Sequence, residues 1–137
     1  MKLTVLAVGR LRPPYADDVQ HYATLLKRHA KLELVEVRED EQAGRRIAEG
    51  AYVCALHSEG RTYDSAAFAR WVEERRQGGR DVVFVIGGPF GLPELGRAAD
   101  HTLSLGPMTL PHQLARVVLL EQLYRAHKIL ANEPYHY

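Results

Sequence analysis

The segment DVVFVI, Asp81 to Ile86, constrains the fold of this chain more than any other. Its unbroken apolar run reads as a strand buried on both faces, and strands of that kind belong to the interior of parallel sheets. Neighbouring parallel strands need a crossover of a dozen or more residues, usually a helix. The rest of the chain supplies both kinds of element. KLTVLAV (Lys2 to Val8), KLELVEV (Lys31 to Val37) and AYVCALH (Ala51 to His57) read as strands, and a fifth is expected over His101 to Leu105.

Helical spacing lies between them. After Pro13-Pro14, apolar residues recur at Val19, Tyr22, Leu25 and Leu26, one face of a helix that proline suits at its first turn. A short helix is expected over about Glu39 to Ala48. Another is capped by Asp64 or Ser65, turns Phe68, Trp71 and Val72 inward, and stops at Gly78-Gly79. A short helix near Pro93 to Ala99 and a long one from Pro111 to Leu130 complete the series. The expected class is α/β, a mainly parallel sheet flanked by helices. A length of 137 residues suits one domain, 1–137, with a single core.

Composition excludes several functions. Lys and Arg total 18 against 17 Asp and Glu, so bulk electrostatics does not grip nucleic acid, although recognition at a few points stays open. The single cysteine, Cys54, permits no internal disulfide or cysteine zinc site, and its apolar surroundings read as a buried inert thiol. Seven histidines include His101, His112, His127 and His136 near the end, but no HExxH or His/Cys cluster gives metal-ligand spacing. With no apolar stretch of membrane-spanning length and no leader pattern at the start, a cytoplasmic protein is expected.

Chemistry concentrates after the fourth strand. IGGPFGLP follows DVVFVI, and LGPMTLP follows the fifth strand. Ligands of open α/β sheets sit beyond the carboxyl ends of the strands, where both turns lie. GGPFG is a poor match to G-x-G-x-x-G, because Pro89 lacks a backbone donor, and no GK[ST] is present. The glycines either just permit a tight turn or let a flat ligand approach Gly87 and Gly88 closely. The apolar, donor-poor second turn suits an adenine or a thioether better than a phosphate.

The last helix is apolar almost all round, through Leu114, Val117, Val118, Leu119, Leu120, Leu123, Tyr124 and Leu130. Such a helix buries more than one side, one against the sheet and another against a second protomer. His112 stands at its start as a cap, a packing group or a catalyst, where the dipole disfavours added positive charge. Arg116 shares its face one turn on. Glu121 and Arg125, at i,i+4, make an ordinary helix ion pair or a functional one. His127 reads as structural. The tail NEPYHY offers Tyr135 and His136 where termini usually fray.

IGGPFGL, SLGPMTLPHQLARVVLLEQLYRA and NEPYH together resemble the RlmH family, the large-subunit (23S) rRNA pseudouridine N3-methyltransferases of the SPOUT class, and KLTVLAVGRL and LELVEV extend the resemblance over the whole chain. The resemblance implies a deep C-terminal trefoil knot, which general topological rules would not suggest. It implies S-adenosylmethionine held mainly by backbone at Leu56, at Gly87 and Gly88, and from Leu105 through Gly106, Pro107, Met108 and Thr109 to Leu110. It also implies a homodimer in which one protomer's tail meets the partner's cofactor, and a substrate pseudouridine in a hairpin loop of the assembled ribosome.

The roles that follow from it are His136 as proton acceptor or base-positioning group, with Tyr135 beside it. Arg116 and Arg125 hold RNA phosphate or lower the imide pKa, Glu121 orients Arg125, and His112 orders the cofactor loop. Relatives run longer after the second strand than Arg38 to Arg46 does here, and often carry a basic residue after the Tyr-His pair where this chain has Tyr137. Two rivals stand beside this reading: a non-catalytic dimeric RNA- or ribosome-binding protein, and a methyltransferase for another RNA nucleoside.

Overall fold

The computed structural model describes residues 1–87 and 98–135. Within them the chain runs β1 (Lys2–Val8), α1 (Tyr15–Leu26), β2 (Lys31–Val37), α2 (Asp40–Arg45), β3 (Tyr52–Arg61), α3 (Ser65–Gly78), β4 (Val82–Ile86), β5 (His101–Leu103) and α4 (His112–Leu130). The helix expected near Pro93 to Ala99 falls mostly outside the described residues. All pairings are parallel, in the order β2-β1-β4-β3-β5. The continuously apolar β4 occupies the centre, and all five of its residues are buried.

Alternate side chains of the inner strands build two cores. Leu3, Val5 and Ala7 of β1 and Val82, Phe84 and Ile86 of β4 face α1, α3 and α4. Leu6, Val8, Val83 and Val85 face the opposite side, with Val35 and Val37 of β2 and Ala43 of α2. On the thicker side α4 lies between α1 and α3. It fully buries Leu119, Leu120 and Leu123, each contributing about 1.5–3 kcal/mol.

Helix ends follow local chemistry. The Asp64 carboxylate accepts the Ala67 N–H at 2.7 Å, satisfying a donor with no intrahelical partner. At the other end of α3, Gly79 takes φ 75°, the left-handed conformation that glycine adopts most readily. The short segment after β2 still makes a helix, with the Gln42 side chain accepting the Glu39 N–H at 3.0 Å. Cys54 is wholly buried, and desolvation pushes its thiol up to about 12, as an inert core cysteine requires.

Candidate functional site

Residues 104–111 leave β5 at the sheet's edge and deliver α4 to the β1 side, crossing the carboxyl ends of β3 and β4. The crossing encloses a cavity of about 340 Å³. Leu56, His57 and Ser58 form one wall and Ile86 and Gly87 another. Leu103, Leu105, Gly106, Met108, Thr109 and Leu110 form the third, with His112 and Ala115 of α4 closing the end. Of the residues expected at the cofactor, seven line this one space: Leu56, Gly87, Leu105, Gly106, Met108, Thr109 and Leu110. Pro107 lies in the same loop, exposed and away from the lining. Gly88 is outside the described residues.

The walls are braced. Leu56 and Arg61 of β3 both pair with Leu103, so the four residues between them bulge out of the ladder. A Cβ on Gly60 would meet the Thr102 backbone at 2.8 Å, so only glycine lets the strands approach here. Ser104, 4 % exposed, joins the bulge to the crossing loop. Its hydroxyl lies 3.1 Å from the Ser58 carbonyl and 2.9 Å from the Gly106 carbonyl, and it accepts the Gly106 N–H at 3.1 Å. Sequence reasoning passed over Ser104, because its Ser58 partner lies 46 residues away in the chain. Gly106 takes φ 140°, and a Cβ there would project into open space.

The lining suits a small, largely apolar ligand. Among the described residues, imidazoles are its only side chains able to carry positive charge, a poor match to a polyphosphate. Backbone at Gly87 and Gly106 and apolar walls from Leu56, Ile86, Leu103 and Leu105 fit an adenine and a thioether.

The polar residues of α4 separate into two groups. At its start the Arg116 guanidinium, 4 % exposed, turns away from the cavity. Nη1 lies 2.6 Å from Glu36 Oε2 and Nη2 donates to the Gly9 carbonyl at 2.6 Å. Arg116 and His112 do converge, but on backbone: a Cβ on Gly9 would lie 3.8 Å from His112 Nε2 and 3.9 Å from Arg116 Nη2. Further along, Glu121 Oε2 binds Arg125 Nη2 at 2.9 Å and accepts the Tyr135 hydroxyl at 2.8 Å. The Arg125 guanidinium stacks 4.2 Å from the Tyr135 ring. Burial first, then the Glu121 carboxylate, raises the Tyr135 phenol above its ordinary pKa. Tyr135 is thus docked on α4, while His136 lies outside the described residues. His127 is buried, with Nδ1 2.8 Å from the Leu123 carbonyl, and burial lowers its pKa.

A parallel sheet with a backbone-lined cavity at its carboxyl edge, closed by a chain crossing, defines an α/β ligand-binding domain of the doubly flanked type. The family model described as "Predicted SPOUT methyltransferase" matches residues 1–136, and the chain belongs to that family. It is 40% identical over 153 residues to the protein named ribosomal RNA large subunit methyltransferase H of Gemmatimonas aurantiaca, covering 99% of both chains. In fold it is similar to a probable methylase family protein of Haemophilus influenzae, with a TM-score of 0.61 and 12% identity over 98% of this chain and 70% of that one. It is also similar to the SpoU methyltransferase AviRb of Streptomyces viridochromogenes, solved with AdoMet. There the TM-score is 0.55 and the identity 18%, over 97% of this chain and 59% of that one.

Proposed function

We propose that this single-domain protein methylates large-subunit rRNA from S-adenosylmethionine, at N3 of a pseudouridine in a 23S hairpin loop, and that it acts as a homodimer on the assembled ribosome. The cavity built from three loops and braced by Ser104 carries this reading. The neighbour solved with AdoMet and the rRNA methyltransferases of the same family support it. We read the crossing of residues 104–111 as the trefoil knot of the class.

When bound, the cofactor supplies an electrophilic methyl group. Leu56, Gly87, Gly88 and the 105–110 loop hold it, and His112 orders the end of that loop. Alignment by such a rigid site lowers a barrier by about 7 kcal/mol or more in favourable cases. The imide proton of the third ring nitrogen needs an acceptor, worth about two to four powers of ten. His136 has that role, and Tyr135 positions it. Glu121 fixes both Tyr135 and Arg125, and Arg125 faces the RNA. Arg116 is a positioning residue that holds the β1–α1 turn beside His112.

The dimer explains how these groups meet. Glu121 lies nine residues beyond His112, about 14 Å along the helix axis, so one chain's tail cluster stands away from its own cavity. Leu114, Val118, Glu121 and Arg125 share one half-buried face of α4. A two-fold axis crossing that face near Val118 sets one helix's start against its partner's end. Each tail then completes the other protomer's cavity.

Calorimetry and nucleoside mass spectrometry test the proposal. Saturable S-adenosylmethionine binding is expected, together with a methyl group on pseudouridine of 23S rRNA after incubation with unmodified ribosomes. Absence of binding at millimolar cofactor would sink the enzyme reading in favour of an RNA-binding protein. Methylation of another nucleoside would replace the substrate.

A further inference from the structure

The turn between β1 and α1, residues Gly9 to Arg12, is held far more firmly than an exposed turn needs. The Gly9 N–H donates to the Val37 carbonyl at 2.8 Å, and the Gly9 carbonyl accepts from Arg116 at 2.6 Å. The Gln113 side chain clamps the next stretch from both sides. Its Nε2 donates to the Arg10 carbonyl at 2.9 Å and its Oε1 accepts the Arg12 N–H at 2.8 Å. Between these bonds the Leu11 N–H donates to Glu36 Oε2 at 2.7 Å. Polar groups from β2 and α4, one of them a buried arginine, are committed to four residues of backbone.

The side chains of that turn are treated oppositely. Arg10 and Arg12 are exposed, and neither guanidinium has a hydrogen bond or ion pair among the described residues. Glu36 does not compensate them, since its carboxylate is bound to Arg116. Asp17 and Asp18, on the first turn of α1, form no ion pair with them. The turn adjoins the cavity through His112, whose Nε2 lies 3.8 Å from the Cβ position of Gly9.

We propose that Arg10 and Arg12 form a preset phosphate clamp for RNA, gripping the backbone that flanks the nucleotide in the cavity. This rests on the rRNA reading above. A guanidinium fork matches phosphate oxygens in two-point contact. Phosphate contacts set register and orientation without reading sequence, as a near-neutral protein acting at one ribosomal position requires. Fixing the backbone during folding reduces the ordering cost left for binding, so two arginines suffice where a mobile loop would need more.

Equilibrium binding to purified large ribosomal subunits lacking the methyl group, with S-adenosylhomocysteine present and across a potassium chloride series, tests the clamp. Removing one arginine–phosphate pair should lower the slope of log affinity against log salt by about 0.7 to 0.9. Arg10→Gln and Arg12→Gln should each do so, and the double variant should show both decrements together. S-adenosylhomocysteine affinity by calorimetry should stay within about twofold of wild type. Arg28→Gln, at the opposite end of the sheet, should leave the slope unchanged. Gln113→Ala keeps both charges but frees the turn, so affinity should fall several-fold with the slope retained.

Wild-type slope and affinity in the double variant would overturn the clamp and leave the methyltransferase reading intact, as would an equal loss in Arg28→Gln. A defect seen on subunits but absent on protein-free 23S rRNA would reassign the turn to a ribosomal protein. If wild-type protein binds S-adenosylhomocysteine but not the subunits, the rRNA reading and the clamp fall together.

Discussion

At the start of α4, Gln113 and Arg116 reach across the molecule; towards its end, Glu121 joins Arg125 and Tyr135, close to it in sequence, and Gln122 beside it accepts from Ser65 of α3. Arg116 is partnered by Glu36 and Gly9, 80 and 107 residues away. Gln113 is partnered by Arg10 and Arg12, 103 and 101 away. Arg125, by contrast, meets Glu121 four residues back, and Tyr135 meets the same carboxylate from 14 residues away. The first arrangement fastens separate elements of the fold. The second holds a tail on the surface of a helix that would stand without it. Damage at the first end should therefore register in folding, and damage at the second in turnover.

The largest effect on stability is expected from Arg116→Ala. It removes two charge-assisted bonds from a buried site, each worth about 1.5–3 kcal/mol, and Glu36 recovers part of the loss from water because its side chain is 43% exposed. A net loss of about 2–4 kcal/mol should appear in the urea midpoint, and Arg116→Lys should restore less than half, lacking the planar fork. A loss below about 1 kcal/mol would erase the contrast between the two ends.

Gly106→Ala probes the crossing loop that leads into the first end. Forcing a side chain at φ 140° costs about 1–3 kcal/mol, and the backbone can escape the strain by leaving this shape, the one proposed to hold the cofactor. S-adenosylmethionine affinity should fall roughly tenfold or more by calorimetry. Unchanged affinity would remove Gly106 from the proposed cradle.

At the second end, Glu121→Gln and Tyr135→Phe should each cost about 1 kcal/mol or less in stability, yet slow methyl transfer to rRNA by tenfold or more. Both variants at wild-type turnover would detach the tail from the reaction. Because the folded Tyr135 phenol is raised, its contribution should be complete below about pH 10, the ordinary tyrosine value, and fade as pH climbs through the folded value. Ultraviolet titration should show late-titrating tyrosines whose amplitude falls in Tyr135→Phe, with a remainder from Tyr63, which burial also raises.

The smallest effect concerns His127. Its folded pKa is lowered, chiefly by burial. Stability should be fully present above about pH 6.5 and decline as pH falls through the folded value. Denaturation midpoints across the acid range should decline less steeply in His127→Gln, with a remainder from His101, which burial also lowers. An identical slope would show that the ring titrates no differently on unfolding.

Legibility in the sequence follows the same division. β1 and β2 fall on their expected residues, because a β-branched apolar run stopped by Gly9 and a two-residue alternation are both local signals. The Asp64 cap and the left-handed Gly79 were legible for the same reason. β3 runs on to Arg61, past the expected end at His57, since its last residues are held only through β5 and the Gly60 approach. The residues expected at the cofactor follow from a family resemblance, and one cavity gathers seven of them. Ser104, Gln113 and Glu36 carried no comparable mark, since their meaning depends on a partner distant in the chain.

By itself the sequence determined the class: central DVVFVI, four further strands and helical stretches between them leave a flanked parallel sheet as the arrangement that buries every apolar face. It also marked where a ligand belongs, since two glycine- and proline-rich turns follow strand ends. Only the tertiary structure decided that β4 lies between β1 and β3, and that Arg116 serves the β1–α1 turn instead of the cavity. It alone left Arg10 and Arg12 unpaired among the described residues, on a fixed backbone. The physical reason is range. Propensity, alternation and capping act within a few residues, whereas a buried guanidinium finds its carboxylate only after the sheet has brought positions 36 and 116 together.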